Sequence, residues 1–231
     1  MVEENISQAR SIRLFPLEFS REEINNIDGI IANNVILLSE DATEGNFKLN
    51  APLCNVVHIS SHSFLLKDQP LILFSPQNDE LEDGFLELGE IVQLNLNSDM
   101  VVLSSCRSGL GRIDEAEGII GLQKAFFEAG SKSVLVTLWD VSDKYTTYLM
   151  QDFYELLSEG NSKPDALRKA KLSFIEKHSP NPYYWSAFVL SGNPSSINLS
   201  TASSFNLYII LIIVLLIISV IAHLIYKNRK V

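Results

Sequence analysis

From Leu207 to Ile225 the chain reads LYIILIIVLLIISVIAHLI, nineteen residues without a charge, interrupted in polarity only by Tyr208, Ser219 and His223. Core helices of water-soluble domains seldom run so far without a charged face, whereas such a run covers a hydrocarbon core of ~30 Å at ~1.5 Å per residue. The sequence therefore predicts one membrane-spanning helix, residues 207–226, followed by a short basic tail, 227–231. The stretch ahead of it, SGNPSSINLSTASSFN, is rich in Gly, Pro, Ser, Asn and Thr, and residues 195–206 read as a linker. What folds in water is then confined to residues 1–194, the length of a single domain.

The charges flanking the span, Lys227, Arg229 and Lys230, all lie on its C-terminal side, which by the positive-inside rule places the C-terminus in the cytoplasm. The first fifteen residues, MVEENISQARSIRLF, contain no apolar run of signal-peptide length. Two topologies follow as expectations: a tail-anchored protein with a cytoplasmic head, or the end of a longer secreted precursor. The chain holds 28 acidic residues against 18 Lys and Arg, and three of those basic residues are in the tail. A head this acidic repels a phosphate backbone, which argues against nucleic acid as a partner and favours basic substrates. Two cysteines, Cys54 and Cys106, make no disulfide framework, and no Cys/His cluster has zinc-ligand spacing.

Within the head, apolar strand-like runs alternate with helical patterns, so the expected class is α/β with a largely parallel sheet flanked by helices. Ser20 and Glu23 read as a capping box opening a helix over 21–31, with Ile24, Ile27 and Ile31 on one face. Strands are expected at 35–38, 55–60, 71–74, 100–104, 132–138 and 186–190, the last closing the sheet. Helices are expected at 43–47, 88–94, 117–129, 143–158 and 164–177, and Gly130 suits a left-handed C-cap.

Two of these strands run into chemically potent residues: 55–60 into Ser61-His62-Ser63 and 100–104 into Ser105-Cys106-Arg107. Ligands of open α/β sheets bind outside the carboxyl ends of parallel strands, so neighbouring strands would bring His62 and Cys106 face to face. A cysteine nucleophile needs a thiolate, and an imidazole takes the thiol proton and later returns it to a leaving amine. The spacing between positions 62 and 106 is close to that of caspases, whose histidine precedes the cysteine by about 50 residues. The competing reading is a packed core cysteine.

The local motifs resemble one family. VVHISSHS is similar to the histidine motif of CHAT peptidases, relatives of caspases and separases, and VVLSSCRSGLG to their cysteine motif. EGIIGLQKAFFEAGSKSVLVTLWDVSD, FYELLSEGNSKPDALRKAKL and PYYWSAFVLSGNP follow in the family's order, so the resemblance covers roughly residues 15–194. It implies a caspase-like fold, His62 as catalytic histidine, Cys106 as nucleophile and backbone N–H groups at Ser63 and Cys106 as the oxyanion site. The family usually has Gly where this chain has Ser63, and Glu-Thr where it has Arg107-Ser108, although CR-x-G is also similar to the caspase sequence QACRG. If position 63 needs a positive φ, Ser63 is strained or the oxyanion donor is misplaced.

WDVSD is similar to the separase segment that supplies an acid to the pocket before the scissile bond, which makes Asp140 and Asp143 substrate-binding candidates, with Trp139 as a wall. Helix capping by Ser142 or Asp143 is the alternative. His58 reads as a core histidine bonded within the sheet, Cys54 as structural, Glu117 and Gly118 as a helix entry, and Tyr183, Tyr184 and Trp185 as core or rim.

The expected protein is thus a membrane-anchored cysteine endopeptidase that forms a thioester acyl-enzyme and calls for no metal or organic cofactor. Its partners would be a protein or peptide substrate, the lipid bilayer, and a regulatory TPR-type partner or a further N-terminal domain. The alternative is a catalytically inactive CHAT-like scaffold at the membrane, which Ser63 would favour.

Overall fold

The computed structural model describes residues 17–66, 69–76, 82–104 and 115–199, with backbone alone at 64, 66 and 115–119. In chain order the elements are α1 (Ser20–Ile30), α2 (Glu44–Asn50), β1 (Val56–Ile59), β2 (Ser63–Leu66), β3 (Gln69–Leu73), β4 (Phe85–Glu87) and α3 (Leu88–Gln93). Then come β5 (Met100–Leu103), α4 (Glu115–Glu128), β6 (Ser133–Thr137), α5 (Asp143–Ser158), α6 (Lys163–Lys177), α7 (Pro182–Trp185) and β7 (Phe188–Gly192).

The main sheet has the order β1-β5-β6-β7, with the first three strands parallel and β7 antiparallel to β6. Its centre explains the composition of its strands. MVVL of β5 and SVLVT of β6 are buried at every position, because helices or the second sheet cover both faces and leave no solvent side to alternate with. Met100, Val102 and Leu135 face a cluster with Leu149, Phe153, Ala170 and Phe174 of α5 and α6. Val101, Leu103, Val134 and Val136 face a second cluster with Leu122, Phe126 and Ile91. The mixed α/β class with a largely parallel, helix-flanked sheet is the one expected.

Several elements differ from the expectation. The run 71–74 falls, up to Leu73, in the central strand of a separate antiparallel sheet, β2-β3-β4, whose short outer strands the sequence pattern did not announce. The segment 35–38 is not a strand. Leu38 is extended, but the segment has no ladder partner among the described residues and Val35 is 57% exposed; Ser39 then turns the chain at φ 51°. Nor do Ser20 and Glu23 form a capping box: Phe19 is the N-cap of α1, and Ser20 Oγ donates back to Leu17 O at 2.9 Å. A reciprocal box exists instead at Glu87 and Glu90, where the Glu87 N–H donates to Glu90 at 2.8 Å and opens α3.

Helix α5 begins and ends where the sequence pattern placed it, at Asp143 and Ser158. Past the end of α4, Gly130 is required twice over. Its φ is +111°, and a Cβ there would collide with the Leu96 carbonyl oxygen, so no L side chain fits where the chain turns into β6. Among the described residues no helix is long and apolar enough to cross a membrane, and the predicted span 207–226 lies outside them.

Candidate active site at the carboxyl edge of the sheet

Because β1, β5 and β6 are parallel, their carboxyl ends share one edge. The register sets Ile59 opposite Leu103 and Leu103 opposite Val136, and the Ser104 N–H continues the ladder to Ile59 O at 3.0 Å. His62 stands three residues past Ile59. There it leaves the main sheet and enters the second one: its carbonyl accepts from the Leu73 N–H at 2.9 Å, and Ser61 Oγ donates to Leu73 O at 2.5 Å. The histidine is thereby held by backbone bonds at the junction of two sheets. It is half-buried and lines a groove of about 500 Å³ with Ser60, Ser61, Leu73, Phe74 and the segment 35–38.

Ser63 begins β2 opposite Ile72 and is not among the residues with positive φ, so the strain conditionally expected at this position is absent. Cys106 lies outside the described residues. In sequence it comes three positions after Leu103, the last residue of β5, as His62 comes three positions after Ile59, the last residue of β1.

The two aspartates part company. Asp140 is half-buried and follows β6 at the same edge. Asp143 is the first residue of α5, yet it serves another helix: its Oδ2 accepts from the Phe19 N–H at 3.1 Å, at the start of α1, and its Oδ1 from the Lys144 N–H at 2.9 Å. Ser142, the N-cap of α5, makes no side-chain cap bond. Trp139 is half-buried against the core, its Nε1–H donating to Tyr183 O at 2.8 Å.

The residue that sequence reasoning missed is Glu23. It is 2% exposed, and its carboxylate collects three hydrogen bonds from two strands. Oε1 accepts from Ser104 Oγ at 2.6 Å and pairs with His58 Nε2 at 2.9 Å, and Oε2 accepts from Ser60 Oγ at 3.0 Å. His58 Nδ1 meets Tyr154 Oη at 3.0 Å. Burial, reinforced by the Glu23 charge, pushes the Tyr154 phenol far above its usual range, so the phenol stays a donor. The carboxylate only accepts, so Nε2 of His58 carries the proton that faces it.

Ser104, His58 and Glu23 do not form a hydrolytic triad. In a triad the acid and the serine use opposite nitrogens of the imidazole. Here both face Nε2, and the Ser104 proton goes to Glu23. The His58 ring is buried as expected, but its bonds reach beyond the sheet: besides Ser104 at the end of the neighbouring strand they run to α1 and α5. Removing Glu23 would strand several buried polar groups, at roughly 1–3 kcal/mol each. One signal of this role was available: Glu23 precedes Ile27 by one helical turn and so shares its buried face.

A second acidic group surrounds α2. Lys48 Nζ pairs with Glu44 at 2.7 Å and with Glu82 and Glu90 at 2.8 Å each, so an ammonium already occupies the centre of the three carboxylates. Burial pushes Glu44 up to about 7. Burial alone would lower Lys48, but its three carboxylate partners outweigh that and raise it. Cys54 is half-buried, its Sγ contacts Asn50 O at 3.4 Å, and burial pushes its thiol up, as befits an inert side chain.

Comparison with known proteins points one way. A family model described as CHAT domain matches residues 3–193. Over 119 residues, 51% of the chain, the sequence is 33% identical to Tetratricopeptide repeat protein 28 of Mus musculus. It is 32% identical over the same length to the protein of that name in Homo sapiens. The matched stretch spans 5% of each relative's length.

Proposed function

The chain belongs to the CHAT domain family, within the caspase-like cysteine peptidase superfamily, and on that premise we propose that it is a membrane-anchored cysteine endopeptidase with His62 and Cys106 as its dyad. The observation that carries this reading is the parallel pairing of β1 with β5, which leads the chain into His62 and toward Cys106 from adjacent strand ends.

In the proposed reaction the Cys106 thiol gives its proton to His62, and the sulfur forms a bond to the scissile carbonyl carbon. The carbonyl electron pair moves to oxygen, where backbone N–H groups at Ser63 and Cys106 stabilise it. Collapse breaks the C–N bond, and the leaving amine takes the proton from His62. Water, deprotonated by His62, then attacks the thioester, releasing the acid product and restoring the thiol. Asp140, half-buried past the end of β6 at the edge that carries His62, would face a basic side chain before the scissile bond, and Asp143 serves the start of α1 instead. Residues 207–226 would hold the head at the bilayer, and the name of the two relatives supports a TPR-type partner.

An activity-based thiol probe tests the mechanism. It is expected to label Cys106 in the wild type, and to do so much more slowly in His62→Ala. Equal labelling of the two proteins, with no turnover of any peptide in a library, would refute the peptidase and leave the scaffold.

A further inference from the structure

The bonds of Glu23 go to two residues of particular placement. Ser60 is two residues before His62 at the end of β1, and Ser104 immediately follows β5, where it also extends the ladder through its backbone N–H. One buried carboxylate from α1 thus joins the two strand ends through side chains, independently of the backbone ladder. His58, the third donor, is itself fixed by Tyr154 of α5, so the carboxylate is oriented from the helical layer.

Glu23 and Ser104 are each 2% exposed, so the carboxylate lies beneath the groove that Ser60 and His58 line. The consequence is geometric. The strand ends cannot shear against each other without breaking a charge-assisted hydrogen bond on one side or the other. Catalytic rate is sensitive to such shear, because a displacement of about 1 Å between reacting groups costs on the order of a hundredfold.

We infer that Glu23 is a positioning residue of the peptidase: it ties the end of β1 that carries His62 to the end of β5, and so sets the approach of the catalytic groups. The inference rests on the peptidase reading given above. It touches neither substrate nor the reacting atoms, so its signature is a fall in kcat with KM retained.

The test is steady-state kinetics of the full chain in detergent micelles, at a temperature well below every variant's thermal transition. Glu23→Ala is expected to lower kcat about a hundredfold with KM changed less than about threefold. Glu23→Gln, which keeps the length and one acceptor oxygen, is expected to recover most of that loss. Leu157→Ala, a buried change in the last turn of α5, serves as the stability control and should leave kcat within about twofold. If Glu23→Ala does not fold, the Ser60→Ala/Ser104→Ala double variant cuts the same two ties, and in that background Glu23→Gln should have no further effect on kcat. Undiminished kcat in Glu23→Ala or in the double-serine variant, with the wild type active, would overturn this inference alone. A wild type that neither turns over peptide nor labels at Cys106 would overturn it together with the peptidase reading.

Discussion

Glu44 makes the stability of the head depend on pH in a direction opposite to that of an ordinary ion-paired acid. Its side chain is fully buried, with Oε2 accepting from the Gly84 N–H at 3.0 Å and Oε1 2.7 Å from Lys48. Lys48 is shared with Glu82 and Glu90, so its charge does not compensate Glu44 alone, and burial carries the Glu44 carboxyl from its ordinary 4.5 to about 7. A folded value above the unfolded one means that the folded state binds the proton more tightly. The associated stability is fully present below about pH 4.5 and is lost as pH rises through about 7. Between pH 5 and pH 8 the loss integrates to about 2–3 kcal/mol at 1.36 kcal/mol per unit.

The perturbation is Glu44→Gln, which removes the titration and keeps the side-chain length. Its absolute effect is mixed, because the amide must keep oxygen toward the Gly84 N–H and then presents NH₂ to Lys48. The slope is cleaner. Urea unfolding of the head at pH 5, 6, 7 and 8 should show the wild type losing about 2–3 kcal/mol relative to Glu44→Gln across that range. Parallel pH profiles of the two proteins would show that Glu44 does not titrate there and would refute the argument.

Three other outcomes are expected. Cys106→Ala and His62→Ala should each lower peptide turnover by roughly a thousandfold or more, and the double variant no further, since the pair acts as a unit; turnover kept by Cys106→Ala would refute the dyad. Deleting residues 205–231 should release a soluble head with a cooperative thermal transition, because all the elements described above end at Gly192; aggregation without a transition in calorimetry would refute it. Asp140→Asn should abolish the preference for Arg or Lys before the cleaved bond, which a positional-scanning peptide library reads directly.

The elements with strong periodicity were legible in the sequence. Helix α5 shows its buried face through Leu149, Met150, Phe153, Tyr154 and Leu157, and β5 and β6 show as short apolar runs between turn residues. The second sheet was not, because strands of three and four residues give too short a pattern to distinguish from loop. The capping logic failed for a specific reason. Acids near a helix start suggest a local cap, and nothing local tells whether the carboxylate turns back to its own backbone or crosses the molecule. Glu23 crosses to β1 and β5, and Asp143 crosses to the Phe19 N–H, 124 positions earlier.

That crossing separates the roles of two acids that the sequence motif places together. Both Asp143 oxygens accept backbone N–H groups, so Asp143→Asn must offer NH₂ to one of them and should cost about 1–2 kcal/mol. For a domain of this size that is a fall of roughly 2–8 °C in Tm, with cleavage preference unchanged. Asp140 bears the converse expectation. A half-buried carboxylate facing a guanidinium forms a bidentate, charge-assisted pair, and a neutral side chain leaves it without that partner, so discrimination for Arg or Lys should be roughly a hundredfold. A positional-scanning peptide library run on wild type, Asp140→Asn and Asp143→Asn decides between these roles. Loss of basic preference in Asp143→Asn with Asp140→Asn unaffected would reverse the assignment. Dominant cleavage after apolar residues in all three proteins would remove the acidic pocket while leaving the dyad standing.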